Sequence, residues 1–131
     1  MSSFSFPYIT HKNYQIPSIP LELKLGNNWY KFMAYVDSGA SYSIFSTRII
    51  EQLGFPYKRG RLIHILVGDG NSIPVWLHQL TIKIGGYQFL APIGFSNKLG
   101  VAFNLLGRAG IFNRFEITFS DSKQLVTFTK I

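Results

Sequence analysis

Strict alternation of apolar and polar residues, repeatedly folded back by turn signals, fixes the class of structure this chain can adopt. "PLELKL" (20–25) puts an apolar residue at every second position, "GNN" (26–28) breaks the run, and "WYKFMAYV" (29–36) resumes it. A period of two is the repeat of a half-buried strand, whereas a helix needs 3.6. The pattern returns downstream. "RLIHILV" (61–67) and "IPVWLHQLTIKI" (73–84) flank "GDGN" (68–71), which reads as a hairpin tip, and "GG" (85–86) turns the chain into "YQFLAPIGF" (87–95). "FEITF" (115–119) and "QLVTFT" (124–129) around "SDSK" read as a C-terminal hairpin. Helical signals are few. "STRIIEQLG" (46–54) offers Ser46 as a cap, an apolar face of Ile49, Ile50 and Leu53, and Gly54 as terminator. A shorter helical turn is expected around Arg108 to Phe112. The expectation is an all-β barrel or sandwich with one or two short helices, residues 18–131 forming one domain and residues 1–17 an extended, proline-bearing arm.

A chain of 131 residues, 47% of them apolar, can bury a core without metal or disulfide staples. It has no cysteine, which excludes disulfides and thiolate-zinc sites. The net charge of +7 raises nucleic acid or an acidic surface as partners. The basic residues are scattered, however, apart from Lys58-Arg59-Gly60-Arg61. That cluster reads first as a solvated loop and second as an anion site. Phe55 and Tyr57 beside it would suit a nucleic-acid patch, but no other feature matches a nucleic-acid module, and nucleic acid is not the expected partner. No apolar run approaches the ~20 residues of a membrane span. The opening "MSSFSFPYIT" lacks the basic and apolar regions of a signal peptide. A cytoplasmic protein is expected.

One residue resists this bland reading. In "AYVDSGASYSIF" (34–45), one of only six acidic residues stands directly behind Tyr35 and Val36 at a strand end. A lone buried carboxylate is costly unless a neighbour shares its proton or its charge. Gly39 lets the backbone turn sharply, its N–H and that of Ala40 can point back at the Asp37 carboxylate, and the Ser38 hydroxyl can brace the loop. Taken alone, Asp37 is either an aspartate that organises a turn or one that does chemistry. Asp69 reads as a turn residue. His64 and His78 are isolated on strand patterns, with no second ligand at metal-binding spacing, so neither a metal nor a cofactor is expected. Ser38, Ser41 and Ser43 lie in no nucleophile elbow and have no base assigned by any motif.

Three segments, in order, resemble the retropepsin-like aspartic proteases. "VDSGAS" is similar to their active-site loop, "VGDGNSIPVW" to their flap hairpin, and "NLLGR" to the apolar-apolar-Gly-Arg segment that precedes their helix. The resemblance spans approximately residues 18–119. It implies an acid-protease-type β-barrel that works as a homodimer, each chain giving one catalytic aspartate. Asp37 would be catalytic, Ser38 a cross-subunit brace and Gly39 a backbone donor, with Ala40 completing the loop. Gly68, Asp69, Gly70, Asn71, Ser72 and Ile73 would form the flap over an extended peptide, and Ile73, Val75 and Leu106 would line pockets. Leu105, Leu106, Gly107 and Arg108 would support the site, Arg108 pairing near the loop or at the dimer contact. There is no second Asp-Ser/Thr-Gly, so a protease of this kind must pair two copies. The resemblance leaves an alternative, a non-catalytic dimeric peptide-binding or scaffold domain, because an acidic flap tip and strong positive charge depart from a generic apolar cleft. For the dimer contact, residues 125–131 make the better candidate strand and residues 5–10 the weaker.

Overall fold

In the computed structural model, which describes residues 2–131, the segment expected as an arm is extended but docked. It carries β1 (Ser3–Pro7), β2 (Ile9–His11) and β3 (Tyr14–Ile16), the last two forming a hairpin around Lys12 and Asn13 at positive φ. Phe4 and Phe6 pack on the core, and the Tyr8 hydroxyl donates to Asp121 at 2.8 Å.

The alternating runs fold as the pattern demands. β4 (Ser18–Leu25) buries Ile19, Leu21, Leu23 and Leu25 and returns antiparallel as β5 (Asn28–Val36), with Gly26 at φ +63° in the turn. A positive φ is open to glycine without a Cβ penalty, which is why the hairpin can be this tight. Two further elements follow the Asp37 loop: β6 (Ser43–Ser46) and α1 (Thr47–Gln52). Ser46 caps the helix, its Oγ accepting from Arg48 N at 3.4 Å. The face differs from expectation. Thr47 and Ile50, three apart, point inward, while Ile49 and Leu53 are exposed on a helix too short to bury a wide stripe. Because the cap bond is long, Ser46→Ala is expected to cost only about 0.5–1 kcal/mol, read as a small drop in urea midpoint at constant slope.

After a single 3₁₀ turn at Tyr57–Arg59 come β7 (Arg61–Leu66), β8 (Ser72–Ile84), β9 (Tyr87–Ser96), β10 (Leu105–Leu106), β11 (Phe115–Ser120) and β12 (Leu125–Lys130). The helical turn expected at Arg108–Phe112 is a run of turns with one helix-like bond, Phe112 N to Arg108 O at 3.0 Å. The large sheet runs β4-β5-β10-β6-β9-β8-β7, and β4 also pairs with β8, closing the ring into a barrel with β7 outside it. The closing ladders are short: β10 meets β5 only at Tyr35 and Val36, and β4 meets β8 only through Glu22 and Leu23.

β8 serves two cores. Its buried residues are Ile73, Val75 and Leu77 near the tip, then Leu80, Ile82 and Ile84, so the buried face changes sides at His78–Gln79. The first three join Ile44 in a small cluster; the others belong to the main core with Phe45, Phe95, Phe115 and Phe128. A second sheet, β1-β12-β11, covers one end of that core through edge-on contacts of Phe115 with Tyr87 and Phe89 of β9. The C-terminal strand therefore has both edges paired within its own chain.

Candidate active site

β5 ends at Val36, and the chain turns at Asp37 with β10 alongside. β10 runs parallel to β5 and antiparallel to β6, threading between them. Asp37 N donates to Leu106 O at 3.0 Å, so the first residue of the loop is tied to the strand that divides it. Asn104 clamps the same junction from its side chain, donating to Met33 O and accepting from Ser46 N, each at 3.0 Å.

Within the loop, Gly39 N donates to Asp37 Oδ1 at 2.8 Å, as the sequence suggested. The Ala40 N–H behaves differently. It goes to the Asp37 main-chain carbonyl at 3.2 Å, closing a turn rather than holding the carboxylate. The second wall of the loop is Gly107. Its N–H donates to the buried Ser43 Oγ at 3.0 Å, and a Cβ here would collide with the carbonyls of Tyr42 and Ala40. Arg108 N and Ala109 N then donate to Ala40 O and Ser41 O, each at 2.9 Å. The Arg108 guanidinium is exposed and forms no ion pair among the described residues; its support comes through its backbone. Ser43 is thus a structural acceptor, not a nucleophile.

Asp37 is less enclosed than the sequence implied. Within one chain its side chain is half-buried, Ser38 and Gly39 are exposed, and the Ser38 hydroxyl makes no hydrogen bond among the described residues. The carboxylate is held rigidly at the wall of a cleft of about 720 Å³. The opposite wall is the β7–β8 hairpin. Its tip is built on Asp69, whose two carboxylate oxygens accept from Asn71 N at 2.9 Å and Asn71 Nδ2 at 3.1 Å. Those two bonds, the backbone one first, hold the Asp69 carboxyl below its ordinary pKa. Gly70, at φ +86°, supplies the left-handed position of this turn.

Of the residues expected at the hairpin, Gly68, Asp69, Asn71 and Ile73 line the cleft, whereas Gly70 and Ser72 do not. Two expected pocket residues are elsewhere. Val75 lies in the small buried cluster and Leu106 in the main core; Leu105, one position earlier, faces the cleft instead. The sequence reading missed Tyr42 and Ile44 beneath the loop, and Ile65, Leu66 and Val67 on the hairpin. It also missed the segment from Lys98 to Val101, which walls one end. Alternation could have flagged Ile65, since it continues the inward phase of β7; nothing periodic marks Lys98–Val101.

The histidines lie away from this cleft. His64 is exposed, and His78 Nε2 lies 2.6 Å from Tyr57 O with its ring against Phe55 and Phe95. Among the described residues no group of three or more His, Cys, Asp or Glu could hold a metal. Lys58 of the basic cluster sits over the Trp76 ring at 5.7 Å, on the surface. No helix among the described residues is long and apolar enough to cross a membrane.

Comparison with known proteins bears on the same region. The family model described as aspartyl protease matches residues 21–96, a span that holds both the Asp37 loop and the β7–β8 hairpin. The fold is similar to the crystal structure of a retropepsin-like aspartic protease from Rickettsia conorii, with a TM-score of 0.65 and 19% identity over 97% of this chain and 98% of that one. An EIAV protease complexed with an inhibitor aligns with a TM-score of 0.49 and 19% identity, over 76% of this chain and 88% of that one. No curated protein sequence matches the chain.

Proposed function

The chain belongs to the aspartyl protease family and has the retropepsin-like fold, and from that premise we propose that it is a homodimeric endopeptidase whose two Asp37 carboxylates activate one water. The observation that carries this is a single Asp37, fixed by the Gly39 amide at 2.8 Å, facing the same cleft as the β7–β8 hairpin. One carboxylate cannot both take a proton from water and donate one to the scissile carbonyl. Two brought into contact share a proton, because like charges that close cannot both ionise. The ionised member then removes the proton of the attacking water while the protonated member polarises the carbonyl. The roles reverse as the tetrahedral intermediate collapses, and the pair titrates as a unit. The exposed Ser38 hydroxyl, unpartnered in one chain, would bond across the twofold axis. The hairpin would close over an extended peptide by main-chain hydrogen bonds, in the manner of an added strand.

A second reading keeps the dimer and the peptide but not the hydrolysis. The acid at the hairpin tip, Asp69, favours it, since a charge there is unusual over a site that must exclude water. The two are separated by incubating the purified protein with a mixed peptide pool from acidic to neutral pH and analysing fragments by mass spectrometry. New termini support the protease; capture of intact peptide at every pH supports the binding domain.

The dimeric mechanism makes its own prediction. Specific activity is expected to fall on dilution once protein drops below the dimer dissociation constant, the total rate approaching a second-order dependence on chain concentration. Activity strictly proportional to concentration in a monomer, verified by sedimentation, would contradict the paired-carboxylate mechanism.

A further inference from the structure

We propose that Lys98 is a specificity residue that pairs with an acidic side chain of the bound peptide, an inference that rests on reading the Asp37 cleft as a peptide site. Lys98 lines that cleft, is exposed, and forms no ion pair among the described residues, where the one ion pair is Lys83 with Glu22 at 3.9 Å. Among the described residues it is the cleft's only cation. Neither of the two carboxylates that share the cleft pairs with it among the described residues. Asp37 accepts from the Gly39 amide, and both oxygens of Asp69 are taken by Asn71.

The root of the side chain is anchored as a binding group should be. Lys98 N donates to Ser96 Oγ at 3.1 Å, and that hydroxyl donates to Pro74 O at 2.7 Å. Ser96 is 1% exposed, so it joins the Lys98 segment to β8, the strand that carries the hairpin. The backbone at Lys98 is therefore fixed relative to the cleft roof, while the flexible stem lets the ammonium reach a partner. Its neighbours Leu99 and Val101 are apolar, and a carboxylate entering among them loses part of its water and gains more from a cation than it would in bulk. A chain of net charge +7 also draws acidic segments toward it. The subsite is local. A peptide acid beneath the hairpin tip would meet Asp69 and be disfavoured, so the preference belongs to one peptide position and its twofold mate.

The test uses full-length Asp37→Asn protein, which removes turnover, and labelled eight-residue peptides with an apolar centre and Glu or Gln at each flanking position in turn. Affinity is read by fluorescence anisotropy, and the Glu-to-Gln ratio is taken within each protein so that any general loss cancels. At low salt Glu is expected to bind about fivefold better than Gln at one position and at its twofold mate, as for a partly exposed ion pair. Lys98→Met should bring that ratio to one, Lys98→Glu should reverse it in favour of Gln, and added salt should erode it. A ratio unchanged in Lys98→Met, no position that prefers Glu, or no peptide binding at all would overturn the inference. Wild-type cleavage of the all-Gln peptide tests the protease reading separately. A protein that cuts nothing yet shows the Lys98-dependent ratio loses the proposed hydrolysis and keeps the acidic subsite.

Discussion

Asp37→Asn is expected to remove peptide hydrolysis by a factor of about a thousand or more while leaving the fold intact. The two halves of that expectation have different causes. Asparagine keeps the carbonyl oxygen that accepts from Gly39 N, and the loop is held mainly by main-chain bonds from Asp37 N to Leu106 O and from Arg108 N to Ala40 O. Neither bond depends on the carboxylate, so the thermal midpoint should stay within about 2 °C of wild type, the scatter of a neutral substitution. The chemistry does depend on it. An amide cannot accept the water's proton, and in a homodimer one substitution removes both members of the pair. The measurement is kcat/KM on a peptide identified from the pool, with circular dichroism as the control for fold. Equal activity in variant and wild type would end the aspartic-protease mechanism. A variant that mixes with wild-type chains should also poison them, since a heterodimer holds one acid instead of two.

How much of this was legible in the sequence depended on whether an element is defined by its own residues or by its partners. β4, β5, β8 and β9 bury alternate side chains along their own length, so period two found them. β6 and β10 span Ser43–Ser46 and Leu105–Leu106, too short for any period, and exist because they pair with β9, β5 and each other. Misjudging β10 is what exchanged Leu105 for Leu106. Adjacent strand residues face opposite ways, and without a pairing partner there was no way to tell which faced the cleft. Asp37 and Gly39 were legible because a glycine two residues after an acid is a local geometry. The uncovered state of Asp37 was not, since burial of a loop depends on what the rest of the chain, or a second chain, brings to it. Lys98 stayed hidden for a related reason: its place is set by Ser96, at the end of β9, reaching to Pro74 on the neighbouring strand β8.

The same reasoning makes Gly107 the residue whose replacement should damage stability most for its size. Gly107→Ala adds one methyl group where the nearest atoms are the carbonyls of Tyr42 and Ala40. Neither can swing aside cheaply. Ala40 O accepts Arg108 N at 2.9 Å, and Ser43 immediately follows Tyr42 and receives the Gly107 amide at 3.0 Å. A flexible side chain would yield, but this wall is backbone. The cost should therefore lie at the upper end of overpacking, about 3 kcal/mol, or roughly a 10 °C fall in midpoint for a domain of this size. Gly100→Ala is the matched control: a Cβ there meets nothing within 4 Å and its φ is not positive, so the change should stay within about 0.5 kcal/mol. Gly100 lines the cleft, so it is a control for stability alone, and activity is read on Gly107→Ala against wild type. If the chain relieves the Gly107→Ala clash by shifting the loop, the Asp37 carboxylate moves with it, and a displacement near 1 Å can cost about a hundredfold in rate. Urea unfolding of both variants, with kcat of Gly107→Ala measured on the surviving folded fraction, checks each part. An unchanged midpoint in Gly107→Ala would mean that β10 does not clamp the Asp37 loop, and the rigidity on which the paired-acid chemistry depends would have to come from the second subunit alone.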